Sequence, residues 1–363
     1  MTFFLILGTR PQIIKSVPLI QEAKKQDLPI QIIHTGQHYD HSLSQIFFEE
    51  LSSPEPLANL NVGSGSHIFQ ITEIMSRLEK IFKSNRPSFV IVPGDTNSAL
   101  ASALASVKSN IPVIHLESGA RSFNIKMVEE LNRRLIDHCS EILFTPTEKC
   151  KNNLEKESVP GRIYNVGDTM YDVFLTSQNK ADKSNIHQKL NLSKKKYAIL
   201  TVHRAENVDT PNLLKKLFQT LKNSEIEIIF PIHPRTRERL KENNLLKKYD
   251  NIHTINPIGY LEMIKLLKHS KIVMTDSGGL TKEAFWSKVP CITLRNQIEW
   301  TETVDMGVNI ITGTNPTKII HALQYIQENY REIKQRFNSN PFGNGQASKK
   351  IISILKKYYK SLQ

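Results

Sequence analysis

Short apolar runs alternate with amphipathic stretches from the first residues of the chain. Phe3 to Leu7 reads as a buried strand, and Pro11 to Lys24 as a helix with proline just inside its start. Gln31 to His34, Phe89 to Val92, Val113 to His115, Ile142 to Phe144 and Arg162 to Asn165 read as further strands. Strands separated by helical patterns predict a parallel sheet with crossover helices. From about Ser177 to Lys196 the chain turns polar and poor in aromatics, which predicts a junction. The alternation then resumes, with strands at Ala198 to Val202, Ile226 to Phe230, Ile252 to Ile255, Ile272 to Met274 and Cys291 to Leu294.

The predicted architecture is therefore α/β, with two Rossmann-like domains facing a central cleft. Residues 1–175 form the first and residues 176–345 the second. In the remaining segment, 346–363, a long basic helix from Ala347 to Leu362 is expected to pack across the junction. In such folds ligands sit outside the carboxyl ends of the strands, which makes the residues just past each strand the first suspects.

Composition narrows the partners. A chain of 363 residues exceeds one ordinary core, and its 39% hydrophobic and 23% charged residues suit a soluble globular protein. No apolar run reaches the roughly 20 residues that span a bilayer. Met1 to Gly8 lacks a basic leader and a cleavage site, so it reads as a strand and the expected location is cytoplasmic. The net charge of +13 favours anionic ligands. Much of it lies in runs such as Ser193 to Lys196 and Lys349 to Lys357, which read as solvated faces with few aromatics between them, so nucleic acid is not an expected partner. Cys139, Cys150 and Cys291 have neither metal-ligand nor redox spacing and read as reduced thiols. No flavin, nicotinamide or metal site is legible, and no cofactor is expected.

The strand ends carry the chemistry. Asp276-Ser277-Gly278-Gly279 follows a strand and opens a helix, a junction at which backbone N–H groups and the helix dipole seat a phosphate. The same turn, taken alone, reads equally as a capped helix start. Glu283, one turn in, suits a ribose hydroxyl. Arg10 and Lys15 follow the first strand and could hold a diphosphate. His38 follows the second strand. Asp95, Glu117 and Glu129 follow others as three carboxylates, and each alone is also a cap or a surface ion pair. Gathered in one cleft they would form an acid/base set. His203 closes the list, read as a protonated imidazole that steadies charge on a leaving group.

Taken together these blocks resemble the non-hydrolysing UDP-N-acetylglucosamine 2-epimerases. The resemblance is carried by Gly8-Thr-Arg-Pro, Thr35-Gly-Gln-His, Gly94-Asp-Thr, His115-Leu-Glu-Ser-Gly-Ala-Arg121, Glu129-Glu-Leu-Asn-Arg133 and Val202-His-Arg-Ala-Glu-Asn. It continues in Ile232-His-Pro-Arg-Thr-Arg237, Asn256-Pro-Ile-Gly-Tyr260, Asp276-Ser-Gly-Gly, Arg295 through Asn309 and Gly343-Asn-Gly-Gln-Ala-Ser348, so it runs essentially end to end.

The resemblance implies a fold like the B-type glycosyltransferases, a homodimer, and a UDP-sugar whose N-acetyl-bearing carbon is inverted. It implies that UDP is eliminated to a glycal and added back after reprotonation on the other face. By that resemblance Asp95, Glu117 and Glu129 are the acid/base carboxylates, and Arg10, Lys15 and His203 receive the diphosphate. Ser277, Gly278 and Gly279 hold phosphate, Glu283 holds the ribose, and His38, Arg121, Arg133, His233, Tyr260 and Arg295 complete the substrate-binding set.

Some positions depart from the family's usual residues. Ser118 stands where alanine is common, Val128 replaces a proline, and Thr281-Lys282-Glu283 replaces Gln-Glu-Glu. Tyr39-Asp40 replaces an Arg-Glu-Met segment tied to substrate activation in bacterial members. Ser122-Phe-Asn124, Lys282-Glu-Ala-Phe285 and Glu299-Trp300 look like the branch acting on UDP-2,3-diacetamido-2,3-dideoxyglucuronate. That substrate calls for an extra cation near the sugar, for which Lys126 or Arg121 are the candidates. A hydrolysing epimerase and a retaining glycosyltransferase of the same fold remain alternatives.

Overall fold

The computed structural model describes residues 2–37, 55–243, 245 and 249–360. His38, Tyr39 and Asp40 lie outside these residues. The chain divides into two compact units, Met1–Val173 with Pro341–Gln363, and Phe174–Asn340.

The first unit is built on a seven-stranded sheet in the order β3-β2-β1-β4-β5-β6-β7, with every recorded pairing parallel. Its strands are β1 Phe3–Leu7, β2 Ile30–His34, β3 Ala58–Asn59, β4 Phe89–Pro93, β5 Val113–Leu116, β6 Ile142–Thr145 and β7 Arg162–Asn165. All five residues of β1 and of β4 are buried, as expected of strands covered on both faces. Phe3 and Phe89 stack at 5.4 Å across that central pair. Each such side chain contributes about 1.5–3 kcal/mol by leaving water.

The helix Asn97–Lys108 lies close on the sheet because its inner face is small: Ser98, Ser102 and Ser106 recur every fourth residue and are fully buried. The hydroxyls of Ser102 and Ser106 donate to the carbonyls of Ser98 and Ser102, each at 2.6 Å, so none of that polarity is wasted. The last helix, Ala347–Lys360, belongs to this first unit and lies against Arg10–Lys25, where Lys356 donates to the Gln26 carbonyl at 2.9 Å. Its first N–H groups, on Ala347 and Ser348, donate to Asp172 at 3.1 and 2.7 Å.

The second unit holds six strands in the order β10-β9-β8-β11-β12-β13. These are β8 Tyr197–Thr201, β9 Glu227–Pro231, β10 Ile252–Ile255, β11 Ile272–Thr275, β12 Cys291–Thr293 and β13 Asn309–Ile311, again parallel throughout. In both sheets the winding reverses beside the first strand, between β1 and β4 and between β8 and β11. Two neighbouring crossovers leave in opposite directions there, so the loops after those strands part and leave room for a ligand. The expected doubly wound α/β class is the class observed, with two edge strands, β3 and β13, added to it. Among the described residues no helix is long and apolar enough to cross a membrane.

Candidate functional site

At the carboxyl ends of β1, β4 and β5 the first unit gathers several expected residues. Gln12, in the first turn of Arg10–Lys25, accepts from the Gly8 and Thr9 N–H groups at 2.9 and 3.1 Å and donates to the Pro93 carbonyl at 2.7 Å. It fastens the end of β1 to the end of β4. Arg10 opens that helix and is half-buried. One turn later Lys15 forms an ion pair with Glu117, and both side chains are mostly buried.

Glu117 has φ +66°, a left-handed backbone that a glutamate adopts only under constraint from its surroundings. Between them lies Gly94 at φ +72°, where a Cβ would come within 2.6 Å of Lys15 Nζ. The left-handed backbone favours glycine here, and its missing side chain leaves the lysine ammonium room beside the carboxylate.

Asp95, next in the chain, accepts from Arg133 Nη2 at 2.5 Å, and the Asp95 carbonyl accepts from Asn132 Nδ2 at 2.9 Å. Arg133 also reaches the fully buried Glu130 at 3.3 Å. Glu130 in turn accepts from the Ser122 N–H and hydroxyl at 2.7 and 2.9 Å. Burial would raise the Glu130 carboxyl, but these donors with Arg133 and Arg134 outweigh it and hold it below the usual range. Glu129 is half-buried in the first turn of Val128–Cys139, four residues before Arg133 and so on the same helix face. Asp95, Glu117, Lys15 and Arg133 thus surround one turn, with Glu129 on the helix that faces it.

Arg121 is a correction. It was expected beside the sugar but is 2% exposed, held by Asp137 at 2.7 Å and by Glu157 through a two-pronged contact at 2.9 and 2.6 Å. Gly119, at φ +78° with the space for a Cβ filled by the Cys150 carbonyl, turns the chain inward just before it. The guanidinium is therefore a core cation.

In the second unit Asp276, at the end of β11, is 1% exposed and organises the loop after β8. It accepts from the His203 N–H at 3.0 Å, the Arg204 N–H at 2.9 Å and Asn207 Nδ2 at 3.0 Å, and its other oxygen lies 3.2 Å from His203 Nδ1. The protein around the His203 ring pushes it below the usual histidine range, although 38% of the side chain still meets solvent. Asp276 opposes that shift, and Arg204 and Arg235 reinforce it. The cation expected at His203 is thus disfavoured by these surroundings. His233, exposed at the start of Pro234–Glu242, brings its ring centroid to 5.7 Å from that of His203.

Ser277 caps the helix Gly278–Trp286, its hydroxyl accepting from the Leu280 N–H at 3.4 Å, and Gly278 and Gly279 form the first helical positions. The space a Cβ would take on Gly279 is open apart from Ser277 Oγ at 3.9 Å. Glu283 is buried farther along this helix, and Tyr260 opens the neighbouring helix Tyr260–His269, 8% exposed.

The Arg295 guanidinium meets Glu299 at 3.0 and 3.1 Å, with both side chains buried. Lys282, a departure noted in the sequence, is also buried, with its ammonium 4.0 Å above the Trp300 ring.

The profile of the family described as UDP-N-acetylglucosamine 2-epimerase matches residues 21–356. The chain belongs to the UDP-N-acetylglucosamine 2-epimerase family, a family of isomerases. It is 48% identical over 356 residues to a UDP-N-acetylglucosamine 2-epimerase homolog of Methanococcus maripaludis, covering 97% of this chain and 98% of that one. It is 38% identical to a UDP-2,3-diacetamido-2,3-dideoxy-D-glucuronate 2-epimerase of Pseudomonas aeruginosa, covering 98% and 100%. The crystal structure of the Methanocaldococcus jannaschii UDP-GlcNAc 2-epimerase in complex with UDP-GlcNAc and UDP is similar with a TM-score of 0.89 at 43% identity, covering 98% of this chain and all of that one. Within this epimerase family fold, sequence reasoning missed Gln12 and Asp137, and it gave no individual role to Glu130 and Asp276, although both lie inside blocks it singled out. Each acts by accepting or donating around a loop.

Proposed function

We propose that this epimerase interconverts UDP-N-acetylglucosamine and its C2 epimer by eliminating UDP and adding it back. A carboxylate removes the C2 proton, the C1–O bond breaks with its electron pair passing to the diphosphate, and a C1–C2 double bond forms. Protonation of C2 from the opposite face and return of the diphosphate oxygen to C1 complete the inversion. A proton beside an acetal carbon is weakly acidic, so its removal must be coupled to departure of a stabilised anion.

The observation that carries the reading is the ring of Asp95, Glu117, Lys15 and Arg133 around the Gly94 turn: two carboxylates, each with its own cation, at neighbouring strand ends. In this reading Asp95, Glu117 and Glu129 serve as acid and base. Arg10, Lys15 and His203 receive the diphosphate, Ser277 to Gly279 bind a phosphate, and Glu283 binds the ribose. UDP-N-acetylglucosamine is preferred over the diacetamido uronate because, of the two cations named for the uronate, Arg121 is enclosed by Asp137 and Glu157 and only the solvent-exposed Lys126 is left.

Offering both UDP-sugars in deuterated water and following proton NMR tests this. Deuterium should enter C2 of UDP-N-acetylglucosamine as the second epimer accumulates. Free sugar and UDP as the lasting products would establish the hydrolysing reaction instead, and exchange confined to the uronate would move the substrate assignment. We also propose a homodimer through the exposed apolar residues Phe123, Ile125, Val128, Leu131 and Leu135. Leu131→Lys should then yield a monomer by light scattering, and an unchanged mass would refute this face.

A further inference from the structure

The geometry points to His115 as a positioning residue that carries both ring protons and fixes the loops of Asp95 and Glu117 to one buried ion. The catalytic half of this inference rests on the roles proposed above; the protonation does not. His115 lies on β5 with no solvent exposure. Its Nε2 is 2.9 Å from the Gly94 carbonyl oxygen, which can only accept, so Nε2 bears hydrogen. Its Nδ1 is 2.6 Å from Asp137 Oδ1.

Asp137 is equally enclosed, and its second oxygen takes Arg121 Nη1 at 2.7 Å and the Gly119 N–H at 3.2 Å. The Arg121 guanidinium and the Gly119 N–H, both donating to that second oxygen, favour the ionised form of Asp137. An ionised Asp137 only accepts, so Nδ1 bears hydrogen as well. Charge counting agrees: the imidazolium and Arg121 balance Asp137 and Glu157, whereas a neutral ring would leave Arg121 alone against the buried Asp137 and the partly exposed Glu157.

The consequence concerns two backbone points. Gly94, pinned through its carbonyl, immediately precedes Asp95. Gly119, pinned through its N–H, lies two residues beyond Glu117, whose left-handed φ of +66° persists only where its surroundings enforce it. The His115–Asp137 pair therefore sets the separation of two carboxylates that must address the same carbon. A glutamine at position 115 has a single amide nitrogen and cannot reproduce the two opposed N–H donors of the ring.

Neutron diffraction from deuterium-exchanged crystals of the full chain reads the protons directly. Nuclear density on both nitrogens of His115 is expected, and a bare nitrogen would overturn the inference. In His115→Gln, turnover and C2 deuterium exchange should fall about a hundredfold, the scale of a small misplacement of reacting groups. UDP affinity by calorimetry should stay close to that of the parent enzyme. Wild-type turnover in the variant, or a loss of rate matched by equal loss of UDP affinity, would count against positioning. If the variant does not fold, the neutron map alone decides. If the parent enzyme epimerises neither UDP-sugar, the proposed function fails while the map still settles the ion.

Discussion

Replacing Glu117 with glutamine separates a catalytic carboxylate from a structural one. The Glu117 and Lys15 side chains are 18% and 14% exposed, so the pair is largely withdrawn from water. Glutamine keeps the size and still accepts a hydrogen bond from Lys15 Nζ through its amide oxygen, losing only the charge. That exchange should cost about 1–2 kcal/mol of stability, less than the 3–5 kcal/mol seen when a buried pair loses a partner outright. For a unit of this size the melting temperature should drop by about 2–8 °C. Turnover should fall far more, by about 100- to 10,000-fold, because a positioned base no longer takes the proton. UDP binding should hold or tighten, since Lys15, freed from the carboxylate, is more available to the diphosphate. Steady-state rates, a thermal melt and UDP titration calorimetry check all three. Retained turnover, or UDP affinity that collapses along with it, would refute the assignment of Glu117.

Asp276→Ala removes the acceptor for the His203 and Arg204 N–H groups and for Asn207. Leaving even one of these donors buried and unmet costs about 1–3 kcal/mol, so urea unfolding should show a loss of at least that size together with weaker UDP binding. An unchanged midpoint would mean the loop does not depend on Asp276. The depressed His203 predicts proton uptake when the diphosphate binds: the ring is neutral at pH 7 without ligand, and the anion raises its pKa. UDP affinity should therefore strengthen as pH falls toward the histidine range. Calorimetry in two buffers of different ionisation enthalpy should register the proton, and identical heats would exclude it. Gly119→Ala places a Cβ 2.2 Å from the Cys150 carbonyl on a backbone at φ +78°. The conformation alone costs about 1–2 kcal/mol, so the melting temperature should drop clearly, and wild-type stability would show that the turn relaxes.

The fold was legible where burial is two-sided. β1 and β4 are unbroken apolar runs because helices cover both faces, and the sequence shows it. β3 and β13 were not legible, since strands of two and three residues at a sheet edge carry no period. The positions of the candidate site residues were legible at strand ends: Asp95, Glu117, His203 and Ser277 each follow a strand that the sequence shows. What they lean on was hidden. Asp137 stands 22 residues from His115, and Asp276 stands 73 from His203, so their partnership is a product of the sheet and not of local sequence. Arg121 was misplaced because it closes the same motif as Glu117, while the turn at Gly119 sends the two into different surroundings. The pairing of Arg295 with Glu299 was not legible, because Glu299 follows four residues later in a loop, where no helical periodicity signals a pair. Domain boundaries at 175/176 and 345/346 remain a proposal, set beside compact units that divide after Val173 and after Asn340.

The central claim is that C2 loses its proton as the bond from C1 to the diphosphate breaks. UDP-N-acetylglucosamine labelled with oxygen-18 in the bridge between C1 and the β-phosphorus tests it most directly. Once released, the diphosphate can rotate before it returns, so phosphorus NMR of recovered substrate should show label moved into non-bridging positions. Epimerisation with the label confined to the bridge would mean that this bond stays intact, and the account would be wrong.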